Sequence, residues 1–251
     1  MSINNRMNQP YSIDDILIIG DSFAAGRNLS TDWPLALVRK LTNDDTIVTA
    51  RGKGFAGASW WSTRTCLLHE LTCKKPKVLI LTHTHLSRLA SDYDFPLTVN
   101  PYQSQITEYF HNQFPYDKSK KKHYTGDVVT AAKMYYEHLF PSFFVKWAHK
   151  MWFTELDEIL SEHDIEIVIH LHAFDTDWDK GRLYQFKTGI TSKEILSHLF
   201  IYRDLDDVKD NLRNHFTEAD NIAIATALYN TITEYTSDKN GKVIDLKLIE
   251  R

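Results

Sequence analysis

Apolar runs and amphipathic segments alternate along the chain, and this alternation predicts the order of its secondary structure. Short aliphatic runs bounded by turn residues indicate strands buried on both faces. Segments with apolar residues three and four positions apart indicate helices that bury one face. The predicted elements are strand Ile16–Gly20, helix Trp33–Leu41, strand Thr46–Ala50, helix Trp60–Leu71, strand Lys77–Thr82, helix Lys146–Leu160, strand Ile165–Leu171 and a possible last strand Lys242–Ile249.

Strands that alternate with helices in this way are typical of a parallel sheet with helices on both faces and right-handed crossovers. The fold class is therefore α/β, a three-layer α/β/α sandwich with a mostly parallel sheet. A chain of 251 residues fits one large domain of this kind. We expect residues 1–251 to form a single domain.

An aromatic-rich insertion of about residues 90–145 interrupts the pattern between the third and fourth predicted strands. Long insertions in α/β enzymes often form lids or substrate walls. A helical subdomain with its own small core, or a contact between copies of the chain, is an equally good interpretation. The pattern does not decide between them.

The first strand ends abruptly in Gly20-Asp21-Ser22, with Gly26 four residues further on. In open parallel sheets ligands bind outside the carboxyl ends of the strands, so Ser22 is placed where chemistry is usually done. The alternative is a turn in which Ser22 only caps the next helix.

A second glycine-rich segment, Gly52 to Ser59, follows the predicted strand Thr46–Ala50. Three glycines in six residues allow the backbone to approach a ligand and to turn its N–H groups inward, as an oxyanion hole requires. The alternative is a strand-to-helix turn that binds nothing and in which Ser59 caps the helix.

Composition and charge narrow the function classes. The hydrophobic fraction is 43%, the charged fraction 25% and the net charge −4, with a pI near 6.3. These values are ordinary for a globular protein and argue against a nucleic-acid partner, which usually requires a basic face. Residues 1–15 lack the pattern of a secretory signal and no run approaches the ~20 apolar residues of a membrane span. Cys66 and Cys73 fit buried, reduced thiols better than a disulfide framework. We therefore expect a cytoplasmic protein without a membrane partner.

The Gly20-Asp21-Ser22 strand end resembles the first sequence block of the SGNH (GDSL-type) hydrolases, a family of serine esterases, lipases and carbohydrate deacetylases. The resemblance implies a flavodoxin-like sheet, Ser22 as the nucleophile, and the Ser22 N–H as an oxyanion donor. Gly54 is similar to the family's oxyanion glycine. Asn214-His215, followed by an alanine-rich helix, resembles the family's histidine block, which implies that His215 is the general base.

Two positions depart from the family pattern. The family has Gly-x-Asn after the third strand, where this chain has Thr82-His83-Thr84-His85 and then Arg88. His85 or Thr84 is the candidate replacement for the asparagine oxyanion donor, and Arg88 is a candidate for binding a charged substrate group or the oxyanion. We assign Asp21 with Arg88 as a candidate substrate-binding group.

The second departure concerns the acid that orients the histidine. The family usually carries an aspartate three residues before the histidine, and Leu212 occupies that position here. Asp210 as the acid, a Ser–His dyad, and an inactive relative are the three alternatives.

A rival interpretation uses histidines at the ends of two neighbouring strands. His83 and His85 follow the third strand. His170 lies at the end of the fourth and His172 directly after it, with Asp175 and Asp177 close behind. Imidazole pairs with nearby carboxylates can bind zinc or another transition metal and activate water. This interpretation predicts a metal-dependent hydrolase.

The sequence as a whole favours a serine esterase or deacylase that needs no cofactor and no metal, acting on a small-molecule or glycan ester. A catalytically degenerate binding protein with the same fold is the non-enzymatic alternative. The sequence determines neither the substrate nor the oligomeric state.

Overall fold

The structure is a computed structural model, and it describes residues 11–21, 24, 32–52, 54, 58–84, 88, 134–139, 142–172, 184–191 and 218–237. Short 3₁₀ and π turns occupy Ile13–Asp15 and Tyr135–Leu139. The strands and longer helices are β1 (Ile16–Ile19), α1 (Trp33–Thr42), α2 (Trp60–Cys73), β2 (Val78–His83), α3 (Ser142–His163), β3 (Ile167–His172), β4 (Ile190–Thr191) and α4 (Glu218–Ser237).

The four strands form one parallel sheet in the order β1-β2-β3-β4. Ile16 pairs with Val78 in the first ladder, and His83 pairs with His172 at the far end of the second. Every residue of β1 and β2 is buried, because helices cover both faces of the sheet. The parallel sheet confirms the predicted α/β fold class.

Alternate side chains of the strands enter two separate cores. Ile16, Ile18 and Ile80 pack with Leu37 of α1 and Leu228 of α4 on one face. On the other face the intervening strand residues pack against α2 and α3, in a cluster that includes Leu17, Leu79, Leu81, Leu67, Phe153 and Leu156. The result is three layers, helices on each side of a central sheet.

Helices α1 and α4 both begin near the carboxyl edge of the sheet. The N–H of Tyr11, which lies before β1, donates to the carbonyl of Leu41 at the end of α1 over 3.2 Å. The end of α1 is therefore near the amino edge of the sheet, and its beginning near the carboxyl edge. The N–H of Trp33 donates to Oδ1 of Asn221 over 3.0 Å, which places the first turn of α4 beside the first turn of α1.

The predicted strand Thr46–Ala50 is wrong. These residues are not part of the sheet, and Val48 is 82% exposed. The chain reaches β1 only at Arg51, whose carbonyl accepts from the N–H of Ile18 over 3.1 Å. Gly52 then turns the chain with a φ of +96°, and a Cβ there would collide with the carbonyl of Ile18. A regular ladder cannot form through such a turn.

Other predictions at this level have mixed outcomes. Cys66 and Cys73 form no disulfide, as predicted, but Cys66 is half-buried and Cys73 exposed, so neither is fully buried. Helix α3 extends further in both directions than predicted. The last predicted strand and most of the aromatic-rich insertion lie outside the described residues, and the single-domain assignment stays a prediction. No helix among the described residues is long and apolar enough to cross a membrane.

Candidate active site

At Gly20, the carboxyl end of β1 lies unusually close to β2. A Cβ at Gly20 would overlap Oγ1 of Thr82 and lie 2.6 Å from the Thr82 carbonyl oxygen. Only glycine therefore allows the two strand ends to approach this closely. Asp21, the next residue, is completely buried.

The glycine-rich segment lies beside this strand end. Gly54 forms an isolated parallel bridge with Gly20, on the side of β1 opposite to β2. The structure thus brings Gly54 next to the segment that leads into Ser22, as the oxyanion-hole prediction requires. Four residues further on, Ala58 is buried and Ser59 caps α2, accepting from the N–H of Ser62 over 3.3 Å.

Asp21 and Arg88 bind one another. Nη1 of Arg88 donates to Oδ2 of Asp21 over 2.8 Å and to the carbonyl oxygen of Ala58 over 3.3 Å. The same carbonyl accepts from Oγ1 of Thr84 over 2.7 Å. Sequence analysis groups Asp21 and Arg88 as substrate-binding residues, and the structure shows that their charges face each other.

The proposed catalytic side chains themselves are not described. Ser22, His85, Asp210 and His215 lie outside the described residues, so their roles stay predictions. Helix α4 begins at Glu218, three residues after His215 in the chain, and its first turn is at the carboxyl edge.

His83 and His170 form a hydrogen-bonded pair under α3. Nε2 of His83 lies 2.9 Å from Nδ1 of His170, and Nε2 of His170 lies 3.0 Å from the carbonyl oxygen of Thr188. Because a carbonyl oxygen only accepts, Nε2 of His170 carries a hydrogen. In the neutral ring Nδ1 is then the acceptor, so Nε2 of His83 is the donor between the two rings.

Aromatic rings enclose the pair. The ring of Phe186 stacks on both imidazoles, and Phe153 contacts His83 edge-on. Burial lowers the pKa of His170 to about 4, and the Thr188 carbonyl and the charge of Asp157 oppose this shift only in part. His170 is therefore uncharged near neutral pH.

Asp157, which the sequence motifs do not single out, organises the segment that contacts the His83–His170 pair. Its carboxylate accepts from the hydroxyl of Tyr184 over 2.6 Å, from the N–H of Lys187 over 3.0 Å, and from the N–H and hydroxyl of Thr188. Asp157 is buried in α3, and so is Leu156, the residue before it. A carboxylate among the buried positions of a helix is the sequence signal that could have identified it, because such a group needs several donors.

These contacts bear on the metal alternative. The facing nitrogens of His83 and His170 are occupied by each other, and the second His170 nitrogen by Thr188. Among the described side chains no group of three histidine, cysteine or acidic residues is placed to hold a metal ion. The side chains of His85 and His172 lie outside that set. The pair also lies on the α2–α3 face of the sheet, whereas α4 covers the opposite face.

Comparisons with known proteins add little. No protein-family model and no curated protein matches the chain. Among solved structures it is similar to a catalytic mutant of an acetylxylan esterase from Geobacillus stearothermophilus, with 12% sequence identity and a TM-score of 0.41, covering 86% of this chain and 93% of that one. The fold class rests on the parallel sheet and the helices that cover both of its faces.

Proposed function

We propose that this protein is a serine hydrolase that cleaves an ester or an acyl group from a small-molecule or glycan substrate. The observation that carries the proposal is the bridge between Gly20 and Gly54 at the carboxyl edge of the sheet. It supports a site in which Ser22, two residues after Gly20, is adjacent to a glycine-rich backbone that can donate N–H groups to an oxyanion.

The position of α4 supports His215 as the general base. His215 precedes Glu218 by three positions, which span at most about 11 Å of chain. The bond from Trp33 to Asn221 holds the first turn of α4 at the carboxyl edge, and this supports a position for His215 near the edge that β1 reaches.

The chemistry follows from these roles. Oγ of Ser22 attacks the carbonyl carbon while His215 takes the hydroxyl proton, and the N–H groups of Ser22 and Gly54 bind the oxyanion, with His85 as a candidate third donor. His215 returns the proton to the leaving alcohol as the ester bond breaks. Water, activated by the same imidazole, then hydrolyses the acyl-enzyme. The acid that orients His215 is Asp210, or there is none and the site is a dyad.

Labelling with a fluorophosphonate probe and mass spectrometry tests the proposal. We expect an adduct on Ser22, and we expect Ser22→Ala to lose both the adduct and hydrolysis of p-nitrophenyl acetate, by at least ~10⁴-fold in kcat. Ser161→Ala, which alters an exposed hydroxyl bonded to Glu158 in the last turn of α3, is the matched control and should keep both. Comparison of Asp210→Asn with His215→Ala distinguishes a triad from a dyad.

Folded protein that acquires no adduct on Ser22 would contradict the hydrolase proposal and favour the degenerate binding protein. Hydrolysis that survives Ser22→Ala but is lost on chelation would instead favour the metal-dependent alternative.

A further inference from the structure

The Asp21–Arg88 ion pair joins three chain segments at the carboxyl edge. Asp21 belongs to the end of β1, Ala58 to the segment before α2, and Arg88 and Thr84 to the segment after β2. One guanidinium nitrogen, Nη1 of Arg88, donates to the first two segments at once. The third is tied to the second by the hydroxyl of Thr84.

The junction is buried, so its bonds are hard to replace. The Asp21 side chain is 0% exposed and that of Arg88 14% exposed, and Ala58 is completely buried. A carboxylate removed from water is stable only when a cation or several donors face it. The carbonyl of Ala58 has the same requirement and receives two donors.

Two of the joined segments are those that the proposed chemistry uses. Ser22 follows Asp21 directly, and Gly54 precedes Ala58 by four residues. In the proposed mechanism the nucleophile and the oxyanion donors thus belong to two segments that a single side chain joins. Arg88 supplies that side chain, already turned towards Asp21 and Ala58.

We propose that Arg88 is a positioning residue, which holds the Ser22 segment and the glycine-rich segment in register through Asp21 and the Ala58 carbonyl and does not bind substrate. This inference rests on the proposed function. It predicts that loss of Arg88 lowers the reactivity of Ser22 while substrate affinity changes little, because misplacement by about 1 Å is enough to cost ~10²-fold in rate.

The test compares Arg88→Met with Arg88→Lys in the full chain. For Arg88→Met we expect kcat on p-nitrophenyl acetate and the fluorophosphonate labelling rate to fall by about 10²-fold, with KM within about threefold of wild type. Arg88→Lys keeps the charge facing Asp21, so its kcat and labelling rate should be at least tenfold higher than those of Arg88→Met. Arg64→Met is the matched control, because it removes a partly buried ion pair with Glu155 between α2 and α3. It should keep the wild-type labelling rate.

Arg88→Met leaves a buried carboxylate without its cation, and a protein that unfolds would not report on Ser22. The double variant Asp21→Asn with Arg88→Met removes both charges and is expected to remain folded and slow. A wild-type labelling rate in either folded variant would overturn the inference, and so would a rise in KM with kcat unchanged, which would make Arg88 a substrate-binding residue. If the wild-type protein is never labelled on Ser22, the hydrolase proposal itself fails, and this inference fails with it.

Discussion

At the scale of single residues, the His83–His170 pair shows how burial determines the charge of an imidazole. His170 is completely buried, and its two ring nitrogens are bonded to His83 and to the Thr188 carbonyl. Protonation would place a second hydrogen on Nδ1 of His170, facing the hydrogen that Nε2 of His83 donates. The lowered pKa of His170 thus agrees with the hydrogen-bond pattern.

This pair predicts a pH dependence of stability. The pKa of His170 falls from 6.5 to about 4 on folding, chiefly through burial. Between these values the unfolded chain binds a proton that the folded chain excludes, so the free energy of unfolding should fall as the pH falls. We expect a slope of about 1 kcal/mol per pH unit and a total loss of about 2.5 kcal/mol by pH 4.5. Urea denaturation at pH 7, 6, 5 and 4.5 measures it.

His170→Gln isolates the effect, since the amide keeps a donor for the Thr188 carbonyl and does not titrate. Its stability should be nearly flat between pH 6.5 and 4.5. His69→Gln, at an exposed position of α2, is the control and should keep the wild-type slope. Equal slopes in wild type and His170→Gln would show that His170 is not responsible. Asp157 has a lowered pKa, so its stabilising effect is lost only below the ordinary range of carboxyl groups, outside this window.

Local rules predict some residues of the site and not others. The turn at Gly20 follows from the strand that ends there, and the closeness of His83 and His170 follows from the alternation of neighbouring strands. The bond of Asp21 to Arg88 spans 67 positions, and no local pattern specifies it. The partner of His170 is Thr188, in a segment that has no periodicity of its own.

At the scale of elements, Asp157 attaches the segment 184–188 to α3. Burial alone would raise the pKa of Asp157, but the hydrogen bonds from Thr188, Tyr184 and the N–H of Lys187 together lower it. The segment continues directly into β4, whose pairing with β3 extends over two residues. The position of this strand thus depends on a single carboxylate as well as on its own ladder.

Asp157→Asn should loosen this segment selectively. An amide presents one acceptor oxygen where the carboxylate presents two, so at least one of the donors in 184–188 loses its partner. We expect a loss of about 2 kcal/mol in the free energy of unfolding and faster amide hydrogen exchange in residues 184–191. Glu158→Gln alters the exposed neighbour in α3 and should change neither. Unchanged exchange in Asp157→Asn would show that the segment is held in place by other contacts.

The sequence predicts two kinds of element well: strands that are buried on both faces and helices that bury one whole face. Strands β1, β2 and β3 and helices α1, α2 and α3 lie where the apolar periodicity places them, because burial imposes that periodicity. The segment Thr46–Ala50 has the composition of a strand but not its place in the ladder. Composition alone could not reveal the turn at Gly52, which depends on the fit of the chain against Ile18.

At the scale of the whole molecule, helices cover both faces of the sheet, and α1 and α4 begin at its carboxyl edge. Helices α1 and α4 share the core on one face, and α2 and α3 the core on the other. The carboxyl edge of the sheet lies between these two helical layers and contains the buried polar residues Asp21, Thr84 and His83. Binary pattern predicts these layers, whereas the pairing of polar groups at the edge requires the folded chain.

The segment around Arg51 and Gly54, which lies along the outer side of β1, also bears on self-association. β1 is the outermost strand at its end of the sheet, and its sequence Ile-Leu-Ile-Ile is wholly apolar. Only the chain around Arg51 and Gly54 covers its outer backbone, among the residues described. An uncovered apolar edge strand is a template for pairing with another molecule.

Arg51 holds that cover in place. Its guanidinium donates to the carbonyls of Asp14, Glu70 and Lys74 and pairs with the Glu70 carboxylate. Arg51→Met should therefore shorten the lag of aggregation at 37 °C several-fold, measured by light scattering and thioflavin fluorescence, whereas Lys40→Met, an exposed change of equal charge, should not. Wild-type aggregation kinetics in folded Arg51→Met would refute the idea. On this view, an arginine that takes no part in the proposed chemistry protects the molecule from copies of itself.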